Sequence, residues 1–193
     1  MTNKKYDVVA LGELLIDFTE NGLSEQGNPL LEANPGGAPC NVLSMLQKLG
    51  DKTAFIGKVG NDGFGHLLTK AVQEQGIDTT GLVYDNDVHT TLALVLKKEN
   101  GDRDFAFYRN PGADMNLKEE EVDESLIASS SIFHFGTLSL TDESVKNATQ
   151  KAVKVAKENG LTITFDPNLR EPLWRSLEEA HEQVAWGLQQ ADV

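Results

Sequence analysis

At 193 residues the chain has room for one sizeable hydrophobic core and little beyond it. Thirty acidic residues against 17 basic ones give a net charge of −13. That charge repels nucleic acid and anionic lipid, so neither is an expected partner. The single cysteine, Cys40, excludes an internal disulfide and suits a reducing cytoplasm.

The N-terminus runs MTNKKYDVVALGELLIDF. Asp7, Glu13 and Asp17 interrupt its apolar residues, which argues against a signal peptide or a membrane span. Tyr6 to Gly12 is nearly continuous in apolar residues, as expected of a strand covered on both faces. Leu14 to Thr19 continues extended. Gly22 to Asn34 reads as a loop or a short edge element. Behind Gly36-Gly37, Pro39 falls where a first helical turn tolerates it. Ala38, Val42, Met45, Leu46 and Leu49 then recur at helical spacing as the expected inward face, with Gly50 as the stop. Thr53 to Val59 reads as a strand. Phe64 to Gln75 reads as a helix with Leu67, Leu68, Ala71 and Val72 inward, closed by Gly76.

Thr90 to Lys97 and Arg103 to Tyr108 are β-rich runs joined by Glu99-Asn100-Gly101-Asp102, a strong hairpin signal. Glu119 to Glu124 reads as a solvated helical face. Ile132 to Gly136 and Leu161 to Asp166 read as strands. Between them a helix capped by Thr141 or Asp142 presents Val145, Ala148, Ala152, Val155 and Ala156 inward and stops at Gly160. Leu177 to Gln189 is a last helix, and Ala191-Asp192-Val193 reads as the opening of a further strand. A domain seldom ends at such a point. The alternation predicts a mostly parallel α/β sheet with helices on both faces, and the hairpin is expected to lie off it.

Ligands of open α/β sheets collect at the carboxyl ends of strands. Three polar clusters fall there: Gly12 to Asp17, Gly57 to Gly65, and Asp166 to Arg170. Asp17 at a strand mouth can accept hydrogen bonds from two hydroxyls, or it is an exposed loop carboxylate; spacing alone does not decide. Gly36-Gly37 admits a close backbone approach or is a plain turn. Asn41 is a ligand amide or a surface residue. Arg109 is an anion clamp or, by spacing alone, an exposed arginine. Gly60-Asn61-Asp62-Gly63-Phe64-Gly65 is neither a dinucleotide fingerprint nor a P-loop, and Asp62 is expected to cap the following helix. The four histidines lack metal-ligand spacing, and Cys40 reads as a packed residue. Phe105, Phe107 and Tyr108 read as sheet packing.

The stretch PGGAPCNVLSMLQKLGDKTAFIGKVGNDGFG resembles the first signature of the PfkB/ribokinase family of sugar kinases. YRNPGAD, FHFGTLSL and FDPNLREPLW resemble the fructokinase branch, and YRNPGAD also the 2-keto-3-deoxygluconate kinase branch. The resemblance runs from Tyr6 to Val193. It implies a ribokinase-like fold, with a small β lid formed near residues 14–34 and 90–109, and with 1–193 as its N-terminal portion. It implies ATP-dependent phosphorylation of a sugar hydroxyl, with fructose first, 2-keto-3-deoxygluconate or ribose as alternatives, and a non-catalytic sugar-binding module as another class. Asp17, Gly36, Gly37, Asn41 and Arg109 would contact the sugar. Asp166 and Asn168 would lie on the Mg²⁺–ATP side, and Arg170 would stabilise phosphate charge. A homodimer through the lid edges is a further implication. The family's second signature, D-T-x-G-A-G-D, which carries its general base, does not occur in this sequence.

Overall fold

The structure is a computed structural model and describes residues 4–97 and 103–193. The expected Asn-Gly turn at Glu99 to Asp102 lies outside the described residues. Five parallel strands form the larger sheet: β1 (Tyr6–Leu11), β4 (Thr53–Gly60), β5 (Asp78–Asp85), β8 (Ser130–Gly136) and β9 (Thr162–Asp166). Their order is β5-β4-β1-β8-β9. The smaller sheet holds β2 (Leu15–Leu23), β3 (Pro29–Gly36), β6 (Leu92–Lys97) and β7 (Arg103–Tyr108) in the order β3-β2-β6-β7. β2 pairs antiparallel with β3 and parallel with β6, and β6 pairs antiparallel with β7. The hairpin thus lies off the larger sheet, as the alternation requires.

The unbroken apolar run of β1 has a direct cause. Val8 and Ala10 point to one face, where they pack with Cys40 and Leu43 of α1 (Ala38–Leu49) and with Leu68 and Val72 of α2 (Gly63–Glu74). Val9 and Leu11 point to the other face, where α4 (Glu143–Glu158) supplies Val145, Ala148, Ala152 and Ala156. Helices cover both faces, so neither face of the strand can be polar. The short α3 (Glu124–Ala128) and α5 (Leu177–Gln190) complete the α4 side. Gly187 of α5 lies flat on the Phe165 ring, where an added Cβ would come within 2.4 Å. Residues 191–193 lie alongside β9: the Asp192 N–H donates to Ile163 O at 2.8 Å and the Phe165 N–H to Val193 O at 3.1 Å. No helix among the described residues is long and apolar enough to cross a membrane.

Three expectations are corrected. β5 is absent from the predicted order, because DTTGLVYD carries two aspartates and a glycine and reads as a loop. It is an edge strand, and Gly81 is required by the approach of Ile56 and Leu126, both 2.9 Å from where a Cβ would sit. The inward face of α1 is also different in part: Leu46 packs against the core as expected. Pro39, Cys40 and Leu43 are buried, whereas Met45 is 57% and Leu49 73% exposed. The helix carries two apolar stripes, and its entry from the buried Gly36-Gly37 corner selects the first. Leu67 of α2 is also turned outward, with Leu68 and Val72 taking the core.

The chain passes from β1 to β4 and β5 on one side, then returns to β8 and β9 on the other. The order therefore reverses beside β1, which leaves a crevice at the carboxyl ends of β1 and β8.

Candidate functional site at the junction of the two sheets

That crevice holds a cavity lined by Glu13, Asp17, Gly37, Ala38, Asn41, Phe105, Phe107, Leu138, Asn168 and Arg170. Five separate stretches of sequence meet there, Leu138 coming from the segment after β8. Asp17 comes from β2, Gly37 and Asn41 from the start of α1, the two phenylalanines from β7, and Asn168 and Arg170 from the loop after β9. Of the eight residues singled out in the sequence, Asp17, Gly37, Asn41, Asn168 and Arg170 line this cavity. Gly36 lies directly under Asp17: a Cβ there would come within 2.2 Å of Asp17 Oδ2. Gly36 thus makes room for the Asp17 carboxylate. Asp166 is not among the lining residues; its backbone oxygen accepts from Thr137 Oγ1 at 3.0 Å.

The site is polarised. Partial burial raises the Asp17 carboxyl above its ordinary value, while the charge of Arg170 works against that rise. Arg170 is held in the left-handed region at φ 46°, the one described non-glycine residue with positive φ. Such backbone conformations are costly and collect at functional sites. Its guanidinium lies 5.3 Å from the centroid of the Phe105 ring. Phe105 and Phe107 stack at 5.9 Å and face the cavity, beyond the sheet packing expected of them.

Arg109 is placed differently from the sugar clamp implied above. Its Nε donates to Asp114 Oδ2 at 2.7 Å, Nη1 to Thr141 Oγ1 at 2.8 Å, and Nη2 to Leu138 O at 3.1 Å. Asp114 also accepts from the Thr91 hydroxyl. The side chains of Arg109 and Asp114 are both 2% exposed. The guanidinium is therefore a tie between the end of β7, the start of β6 and the loop after β8. Its partners lie 5 to 32 positions away in sequence, so spacing alone does not reveal them. The Gly60-to-Gly65 turn is likewise structural. Asp62 caps α2 through the Gly65 N–H at 2.8 Å and takes the Thr90 N–H at 2.8 Å, which fastens α2 to the small sheet. Cys40 is buried and its thiol is pushed up to about 12, which suits a packed residue. His134 shares a hydrogen bond with Thr164 Oγ1 at 2.8 Å, and burial lowers its pKa.

The residue that sequence reasoning missed is Glu13. It lies at the carboxyl end of β1 and is 3% exposed. Its Oε1 accepts the Ala38 N–H at 2.7 Å, while Oε2 is buried without a hydrogen-bond partner. Burial drives its carboxyl from 4.5 up to about 7; Asp114 pushes in the same direction, and the Ala38 and Glu13 N–H groups and Arg109 push against it. The available signal was a carboxylate inside an apolar run, together with a helix start, 25 residues further on, that has no capping side chain of its own.

Two outcomes follow. Arg109→Ala strands Asp114 as a buried, unpaired charge and should lower stability by about 3–5 kcal/mol in denaturant unfolding. Arg109→Ala at native stability would contradict the buried tie. For Glu13, the folded state binds a proton more tightly than the unfolded chain. Its contribution is therefore fully present below pH 4.5, falls as pH rises, and is lost above about pH 7. The total change across that window is on the order of 3 kcal/mol. Thermal unfolding followed from pH 4.5 to 8 should show that slope in the native chain and a flatter profile in Glu13→Gln.

Comparison with known proteins agrees with this architecture. The profile of pfkB family carbohydrate kinases matches residues 5–193. The chain is 46% identical over 189 residues to probable fructokinase-2 of Arabidopsis thaliana, covering 96% of this chain and 57% of that protein. It superposes on the fructokinase of Xylella fastidiosa with a TM-score of 0.90 at 33% identity, covering 96% of this chain and 57% of the other. The same fructokinase with bound ATP gives 0.88 at 32% identity. The chain thus spans a little over half the length of these relatives. The chain belongs to the pfkB family of carbohydrate kinases.

Proposed function

We propose that the protein containing this chain phosphorylates a sugar hydroxyl from ATP, with fructose as the sugar and fructose 6-phosphate as the product. The observation that carries this reading is the convergence of Asp17, Gly37, Asn41, Asn168 and Arg170 from distant segments on one cavity. A carboxylate, an amide and a glycine corner suit a small polyol: Asp17 accepts two hydroxyl protons, and Asn41 can donate or accept. Phe105 and Phe107 offer an apolar wall for the ring carbons. Arg170 stands at the same cavity with a fixed positive charge, where spreading phosphoryl charge needs it. The fructokinase relatives, including the one with bound ATP, support the same assignment.

In this reading the small sheet is the lid, and the larger sheet carries the nucleotide. Mg²⁺ is held by few protein groups and by nucleotide phosphates. Among the described residues no cluster of three or more His, Cys, Asp or Glu could hold a metal by itself, so Asp166 and Asn168 would supplement the phosphates. The ion would supply charge neutralisation. The general base lies in the D-T-x-G-A-G-D signature that this sequence lacks, so the 193-residue chain alone binds sugar without turning it over. A sugar acid fits less well than fructose, because Arg109 is committed to Asp114. The open edges β3 and β7 suit pairing with a second copy, and the single cysteine, with no disulfide, suits work in a reducing cytoplasm.

The test is ATP-dependent phosphorylation of fructose, measured on the 193-residue chain and on the polypeptide read to the stop codon of its gene, beside a panel including ribose and 2-keto-3-deoxygluconate. Activity is expected in the second polypeptide, highest with fructose, and none in the first. Asp17→Asn should raise the fructose KM at least about tenfold, as loss of a charged acceptor does, and leave the ATP KM unchanged. Turnover by the 193-residue chain, or an unchanged fructose KM, would contradict the proposal.

A further inference from the structure

α1 begins in an unusual way. Its N-cap, Gly37, has φ 127° and no side chain to cap the helix. No other residue fits there, because a Cβ would come within 2.3 Å of the Glu13 carbonyl oxygen and 3.3 Å of the Leu14 Cα. The usual N-cap residues, Ser, Thr, Asp and Asn, are therefore sterically excluded. The first-turn N–H groups still need acceptors. Glu13 supplies one from another element, through Oε1 on the Ala38 N–H at 2.7 Å. The neighbouring Gly12 packs against Pro39, with 2.5 Å between a built Cβ and Pro39 Cγ. The end of β1 and the start of α1 are thus joined at three successive points.

One turn later the same helix carries Asn41, whose N–H donates to Gly37 O at 2.9 Å and which lines the cavity. The second carboxylate oxygen of Glu13, Oε2, is buried and has no hydrogen-bond partner. Glu13 also lines the cavity itself.

We propose that Glu13 is a positioning residue: by capping α1 from the end of β1, it holds the Gly36-Gly37 corner and fixes Asn41 for sugar binding. The proposal rests on the sugar-binding reading above. Glu13 acts through the backbone of α1 and takes no part in the chemistry. Glutamine keeps the acceptor for Ala38, whereas alanine removes it and opens a hole.

The test uses the polypeptide read to its stop codon, with ¹⁵N-alanine labelling. Fructose affinity is measured by calorimetry and the Ala38 amide by NMR, in native protein, Glu13→Ala and Glu13→Gln. Glu13→Ala should weaken fructose binding about tenfold, equivalent to about 1.4 kcal/mol, and shift the Ala38 amide proton upfield. Glu13→Gln should restore affinity to within about threefold and keep Ala38 near its native shift. The ATP KM should not move. Native affinity in folded Glu13→Ala, or no rescue by Glu13→Gln, would overturn the positioning role while leaving the sugar reading intact. If Glu13→Ala does not fold, the native Ala38 amide still decides: it should titrate with Glu13, and the titration should vanish in Glu13→Gln. An Ala38 amide that ignores pH overturns the cap. Absence of fructose binding by the native protein, with Ala38 titrating normally, would instead reject the sugar reading and, with it, the positioning role.

Discussion

The chain leaves the larger sheet through Gly12–Leu14 and returns to it through Gly36-Gly37, and these two crossings are in contact. There is no room for a side chain at Gly37, so the outgoing and incoming backbones pack as one corner. The cavity is built on that corner. Asp17 rests on Gly36, Glu13 grips Ala38, and Asn41 projects from the helix the corner starts. The small sheet is joined to the larger one through the same crossings, through the segments before β6 and after β7, and through the ties at Asp62 and Arg109. The cavity groups on β2 and α1 are thereby set by backbone packing, which is the arrangement that keeps a site preorganised.

Charge is distributed to the same end. The chain as a whole is strongly acidic, yet its buried cations are paired: Arg109 with Asp114, and Lys58 with Glu121 at 2.8 Å and Asp85 at 3.5 Å. Burying charges in pairs avoids the penalty of an isolated one. Arg170, in contrast, is exposed at the cavity, strained in backbone and laid over an aromatic ring. A cation in that state is available to an anionic group, and it sits across the cavity's lining from Asp17 and Asn41.

Most of the fold was legible because its causes are local. The uninterrupted run of β1 follows from helices on both faces, and Gly50, Gly76 and Gly160 end their helices with positive φ. Asp17, Asn41, Asn168 and Arg170 were singled out through the family resemblance, since spacing alone left them open, and the structure brings them to one cavity. What was not legible depends on distant partners. Arg109 reads as a free cation until Asp114 and Thr141 are brought to it. The exposed stripe of α1 reads as its core because the entry angle at Gly37 is a tertiary property. Glu13 reads as a mere interruption of an apolar run, since its partner, the Ala38 N–H, lies 25 residues away. Edge strand β5 carries too few apolar residues to announce itself.

The most direct test of the central claim is amide hydrogen exchange with and without fructose. If the sugar binds between the two sheets, protection should concentrate at residues 13–17, 36–42 and 168–170. Protection confined to another surface, or none under conditions where fructose binds, would contradict the assignment of this cavity as the sugar site.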